Sequence, residues 1–182
     1  MGASGDNADL KALIRNIPDF PKPGVQFRDV TGLLLDGHGF SETTDRLATL
    51  AAPLKPDLVA AVEARGFLFG AAVAKALGIG ILPIRKPGKL PGDKVGVDYA
   101  LEYGTDRLEM HAYDLVPATR VLIIDDLIAT GGTVMATVKL IRDQGGVVAG
   151  ALFVVDLPDL GGAARLRGAG VETISLMTFE GD

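Results

Sequence analysis

The sequence predicts an α/β domain whose central, mostly parallel sheet is flanked by helices. Three observations carry this. Short apolar runs alternate with stretches of helical spacing, the pattern of a parallel sheet buried between helices. The 182 residues are 48% hydrophobic, which suits one domain with one core. The 24 glycines fall in short clusters between the apolar runs, so they read as turns and sites of close backbone approach.

Taken in chain order, residues 10–17 place Leu10, Leu13, Ile14 and Ile17 at helical spacing. Pro18, Pro21 and Pro23 then rule out helix, because each lacks an N–H and fixes its backbone. A second helix is expected over 41–51 with Ser41 as its N-cap. Residues 57–62 read as a buried strand, followed by a helix over 67–77 that Gly78 ends. The next strand covers 79–84. Residues 95–103 and 107–113 suit a hairpin turning at Gly104, Thr105 and Asp106. A short apolar strand, 121–124, leads through a small-residue loop to a helix over 133–143. Strands over 147–155 and 171–176 complete the sheet. No linker or repeat divides the chain, so residues 1–182 are expected to form one domain, with 1–9 as a tail.

Composition excludes several classes. With no cysteine there is neither a disulfide framework nor a thiolate metal site, and a cytoplasmic location is expected. No apolar stretch is long enough for a membrane helix, and the N-terminal residues lack the pattern of a secretory signal. The net charge of -5 argues against a nucleic-acid surface. His38 and His111 show no metal-ligand spacing.

Against that acidic background, Val121 to Thr133 (VLIIDDLIATGGT) carries the most specific chemistry. Asp125 and Asp126 follow the strand, and Ala129, Thr130, Gly131, Gly132 and Thr133 lead into the helix. Small residues let backbone N–H groups close on a phosphate, and the helix dipole favours its charge. Two carboxylates beside a phosphate cradle conflict unless they accept hydrogen bonds from something else, such as sugar hydroxyls. A ribose bearing a phosphate satisfies both halves. Three further segments offer chemistry. Arg65 and the N–H groups around Glu63 and Ala64 open a helix and can hold an anion. Arg85, Lys86 and Lys89 form a basic loop that can close over a polyanion. Phe27 can stack on a planar base.

These segments (FPKPGVQFRDVT, EARGFLFG, IRKPGKLPG, LEYGTDRLEMH and DDLIATGGT) together resemble the type I phosphoribosyltransferases, and within them the adenine enzymes, over about residues 10–179. The resemblance implies that family's fold, with a flexible β-hairpin hood within 85–113 and an N-terminal base-recognition segment over 10–40. It implies transfer of 5-phosphoribosyl from 5-phosphoribosyl 1-pyrophosphate (PRPP) to adenine N9, giving AMP and pyrophosphate in a purine-salvage reaction. Asp125, Asp126 and residues 129–133 would bind ribose and its 5′-phosphate. Glu63, Ala64, Arg65, Arg85, Lys86 and Lys89 would bind pyrophosphate, the first two often through a non-proline cis peptide. Main chain at Gln26 and Arg28 would read the adenine edge beside Phe27, although Gln26 stands where relatives usually carry an apolar residue. Glu102, on the hood, would assist proton movement at the purine, and Arg65 and Glu102 are the candidate catalytic groups. Ala129 replaces an Asp that 6-oxopurine enzymes usually carry, which favours adenine. Mg²⁺ would ride on the substrate with no direct protein ligand. A homodimer without nucleic-acid or membrane partners is implied. The alternatives are a phosphoribosyltransferase for another base, such as xanthine, or a non-catalytic PRPP-sensing regulator.

Overall fold

The computed structural model describes residues 7–100 and 104–181. Five parallel strands form the central sheet in the order β4-β3-β7-β8-β9: β4 Gly80–Ile84, β3 Leu58–Val62, β7 Arg120–Ile128, β8 Val147–Asp156 and β9 Thr173–Thr178. Its interior is almost wholly apolar: Val121 to Ile124 are fully buried, as a strand covered on both faces requires. One face packs on α3 (Gly37–Ala51) and α4 (Gly66–Leu77), through Leu47, Ala51, Phe69 and Val73. The other packs on α5 (Gly132–Asp143) and α6 (Gly162–Gly168), through Val134, Val138, Ile141 and Leu166. Burying both faces this way is the fold class that the alternating pattern predicts.

The N-terminal part departs from expectation. Helical spacing over 10–17 yields only one turn, α1 (Ala8–Lys11). The chain then extends as β1 (Arg15–Pro18), which pairs antiparallel with β2 (Gln26–Asp29), Ile17 opposite Phe27. Pro18 disfavours a helical residue before it, and the partner strand across the proline-rich turn supplies the hydrogen bonds. Residues 7–9, expected in the tail, are tied down. The Asn7 amide donates to the Leu176 carbonyl at 2.6 Å, and Arg46 reaches Asn7 and Asp9.

The second helix begins earlier than Ser41. Its cap is Asp36, whose carboxylate accepts from the Gly39 N–H at 2.7 Å. A β-carbon at Gly39 would lie 2.4 Å from Leu13 Cδ1, so the glycine admits a close packing that outweighs its poor helix propensity. A short helix, α2 (Thr31–Leu35), precedes it and was not foreseen, nor was α6. The strand expected to end at Ile124 continues to Ile128, because Leu127 and Ile128 pair with Val155 and Asp156 of β8. Asp125 and Asp126 therefore lie within β7; sheet pairing overrides the turn preference of Asp.

The hairpin forms as β5 (Lys94–Ala100) and β6 (Thr105–His111). Val97, Leu108 and Met110 join the core beside α5. Arg85 and Glu109 exchange backbone hydrogen bonds at 2.9 and 2.8 Å, which ties the hairpin to the segment leaving β4. Glu102 lies outside the described residues.

Candidate active site

The carboxyl ends of β3 and β7 open into a pocket of about 340 Å³. Its walls are Glu63, Ala64 and Arg65 after β3, Lys86 after β4, and residues 125–134. Ligands in open α/β sheets bind at this end of the strands.

The loop of residues 129–131 turns into α5 at Gly131, whose φ of 77° is a left-handed conformation that glycine adopts readily. A second glycine holds the loop from below. The Gly162 N–H donates to the Ala129 carbonyl at 2.9 Å, and a β-carbon at Gly162 would come within 2.2 Å of that oxygen. The N-terminus of α5 thus faces the pocket with Thr130 exposed at its rim.

The acidic pair is anchored from two sides. The Asp125 Oδ1 accepts from the Asp126 N–H at 2.9 Å. Enclosure, then the adjacent Asp126 carboxylate, push the Asp125 carboxyl well above the usual carboxylate range. Asp126 is buried and pairs with Arg65, whose Nε donates to its Oδ2. A β-carbon at Gly66 would sit 2.6 Å from Asp125 Oδ1, so only glycine lets α4 start this close to the pair.

Glu63 and Ala64 are joined by a cis peptide bond. The Glu63 carboxylate accepts from the Lys86 N–H at 2.9 Å and from Arg85 Nε at 3.0 Å. The Lys86 N–H is the main reason its carboxyl lies below the usual range; burial opposes this and Arg85 adds to it. Lys86 extends into the site, donating from Nζ to the Tyr99 hydroxyl at 2.9 Å and to the Asp106 carboxylate. Burial alone would depress its ammonium pKa, but Asp106 and Tyr99 outweigh burial and leave it raised. Lys89 stays exposed beyond the pocket wall.

The N-terminal segment meets this site at Arg65. The Arg65 guanidinium lies over the Phe27 ring at 5.5 Å, while Phe20 meets that ring edge-on at 5.2 Å. Gln26 and Arg28 turn elsewhere: the Gln26 Oε1 accepts from Asn16 at 2.7 Å, and Arg28 donates to Asn16 and to the Glu180 carbonyl. The Asp29 Oδ1 accepts from the Thr31 hydroxyl at 2.6 Å.

Eleven of the residues singled out from sequence thus share one pocket wall: Glu63, Ala64, Arg65, Lys86, Asp125, Asp126, Ala129, Thr130, Gly131, Gly132 and Thr133. Gln26, Phe27, Arg28, Arg85 and Lys89 lie outside that wall. Tyr99 and Asp106 were missed. Tyr99 continues the alternation of Val95 and Val97 and so reads as core, and Asp106 reads as a turn residue. Among the described residues no group of three or more His, Cys, Asp or Glu gathers at metal-binding distance. No helix among them is long and apolar enough to cross a membrane.

Comparison with known proteins gives a consistent result. Residues 42–164 match the phosphoribosyl transferase domain. The adenine phosphoribosyltransferase of Sphingopyxis alaskensis is 60% identical over 174 residues, covering 96% of this chain and 95% of that protein. The crystal structure of the Thermoanaerobacter pseudethanolicus enzyme of the same name superposes with a TM-score of 0.90 at 47% identity, over 94% of this chain and 99% of that one. The Saccharomyces cerevisiae enzyme, solved with an imino-altritol bisphosphate and adenine, superposes with a TM-score of 0.86 at 33% identity, over 93% and 97% of the two chains.

Proposed function

Because the chain belongs to the adenine phosphoribosyltransferase family, we propose that this pocket binds PRPP and transfers its ribosyl phosphate to adenine N9, releasing pyrophosphate and AMP. The observation that carries the reading is the union of an anion-ready helix N-terminus, an acidic pair and two cations around one pocket of about 340 Å³.

The N–H groups and hydroxyls of residues 129–133 bind the 5′-phosphate, with the α5 dipole favouring its charge. Asp125 and Asp126 accept hydrogen bonds from the ribose hydroxyls, which removes the conflict between carboxylates and phosphate. Main-chain N–H groups around Glu63 and Ala64, with Arg65, Lys86 and the outer cations Arg85 and Lys89, take the pyrophosphate. As the C1′–oxygen bond breaks, negative charge grows on that leaving group and positive charge on the sugar. Arg65 and Lys86 stabilise the former, the term that usually contributes most to such catalysis. Clamping the phosphate and the hydroxyls together fixes C1′ for attack by adenine from the opposite face. Phe27 stacks on the base, main chain at Gln26 and Arg28 reads its edge, and Glu102 serves the proton at its imidazole side.

The oxygen-only acidic donors of this wall suit a hard cation, and they are too few to cage one, so the site fits a magnesium ion carried mainly by substrate and water. Bound there, magnesium would neutralise pyrophosphate charge. A cytoplasmic homodimer is the expected setting; light scattering on the purified chain checks the dimer.

The test is turnover with PRPP and Mg²⁺ against adenine, hypoxanthine, guanine, xanthine, orotate and uracil offered separately. AMP formation with adenine as the preferred base is expected. Preference for another base, or turnover with none, would sink the assignment. In the double variant Asp125→Asn, Asp126→Asn, PRPP affinity is expected to fall at least tenfold, roughly one charge-assisted hydrogen bond.

A further inference from the structure

We infer that Tyr99 and Asp106 are positioning residues that preset the Lys86 ammonium for the anionic end of the substrate. Neither lines the pocket. Both hold a side chain that does.

A lysine ammonium has three N–H donors on a flexible stem, and its freedom must be surrendered when it binds an anion. Here two donors are already committed: one to the Tyr99 hydroxyl at 2.9 Å and one to the Asp106 carboxylate. Among the described residues no third acceptor takes the remaining N–H, and Lys86 forms part of the pocket wall. The ammonium also lies 5.5 Å from the Tyr99 ring centroid, which favours the same placement. Tyr99 and Asp106 are themselves bonded at 3.0 Å, and they face one another across the hairpin in register. The Tyr99 hydroxyl then approaches Thr133 Oγ1 at 3.3 Å, so one group touches both the pyrophosphate-side lysine and the phosphate loop. Binding to a preset donor costs less ordering than binding to a free one.

The inference rests on Lys86 being a PRPP contact, and the experiment separates the two. Steady-state KM for PRPP and for adenine, with kcat and a thermal melt, is measured for Lys86→Met, Tyr99→Phe, Asp106→Asn and the pair Lys86→Met with Tyr99→Phe. Lys86→Met is expected to raise KM for PRPP about tenfold or more, the loss of one hydrogen bond to a charged group. Tyr99→Phe and Asp106→Asn are each expected to raise it roughly three- to tenfold, leaving KM for adenine and the melting temperature unchanged. The pair is expected to match Lys86→Met alone, since Tyr99 acts through the lysine. Multiplying effects in the pair, or an equal rise in KM for adenine, would overturn the positioning role. So would unchanged PRPP kinetics in Tyr99→Phe and Asp106→Asn while Lys86→Met is impaired. If Lys86→Met leaves KM for PRPP unchanged, the assignment of Lys86 fails and the inference fails with it.

Discussion

Asp125 is held where a carboxylate is costly, enclosed and beside a second acid. Its raised pKa has a definite sign. Below about pH 4 the acid is protonated in folded and unfolded chains alike; as pH rises, the unfolded chain loses the proton first. The favourable contribution is therefore lost as pH climbs through the folded value. Asp125→Asn has no proton to lose, and its amide oxygen can still accept from the Asp126 N–H. The variant should gain stability relative to the parent as pH rises, with a slope of at most about 1.4 kcal/mol per pH unit. Urea unfolding at several pH values between about 4 and 8 checks this; a gap that stays flat contradicts it. The pair was legible in the sequence, since two acids before a small-residue loop ask for partners other than the phosphate. That Asp126 would bind Arg65 was not legible, because the two lie 61 positions apart and only the sheet brings them together. Tyr99 was hidden for a related reason: one side chain can be core along its ring and functional at its hydroxyl.

At the scale of elements, helix starts are packed against strand ends with no room to spare. The first turn of α6 sits under the phosphate-binding loop, and α4 starts against Asp125. Gly162→Ala would drive a β-carbon into the Ala129 carbonyl and the Gly131 N–H, 2.2 and 2.7 Å away. The loop must then shift, and overpacking of this kind costs about 1–3 kcal/mol. KM for PRPP should rise at least about fivefold, while KM for adenine changes little. Unchanged PRPP kinetics would mean that the loop tolerates displacement. Long, strongly patterned elements were readable: β3, α4, β4, α5 and β8 lie where periodicity puts them, with Gly78 ending α4 at φ 69°. At α1 and at the end of β7 a distant partner (β2 and β8 respectively) decides the outcome, and local spacing carries no trace of it. At the start of α3 the deciding residue is local, the Asp36 cap, which the spacing of apolar residues does not report.

In the molecule as a whole, two apolar layers clamp the sheet, and the pocket opens where strand ends and helix starts meet. The sheet with helices on both faces was legible because alternation is a property of the entire chain. The attachment of the N-terminal segment was not. Leu10, Val30 and Leu33 bury into the core beside α3 and α4, and Arg28 and Lys11 lie over Phe179 at 5.0 and 4.7 Å, contacts between opposite ends of the sequence. That attachment places Phe27 under Arg65, and Arg65 is also the partner of Asp126. A single guanidinium thus touches both the ring proposed to stack on the base and an acid proposed to hold the sugar. In the language of linkage, any coupling carried by that guanidinium is reciprocal: by whatever factor PRPP changes the affinity for adenine, adenine must change the affinity for PRPP equally. Calorimetric titration of each ligand, with and without the other held at saturation, should return matching factors of about fivefold or more, and Arg65→Met should collapse both toward one. The coupling is then a property of one arginine's divided attachment, and it is the same whichever substrate enters first.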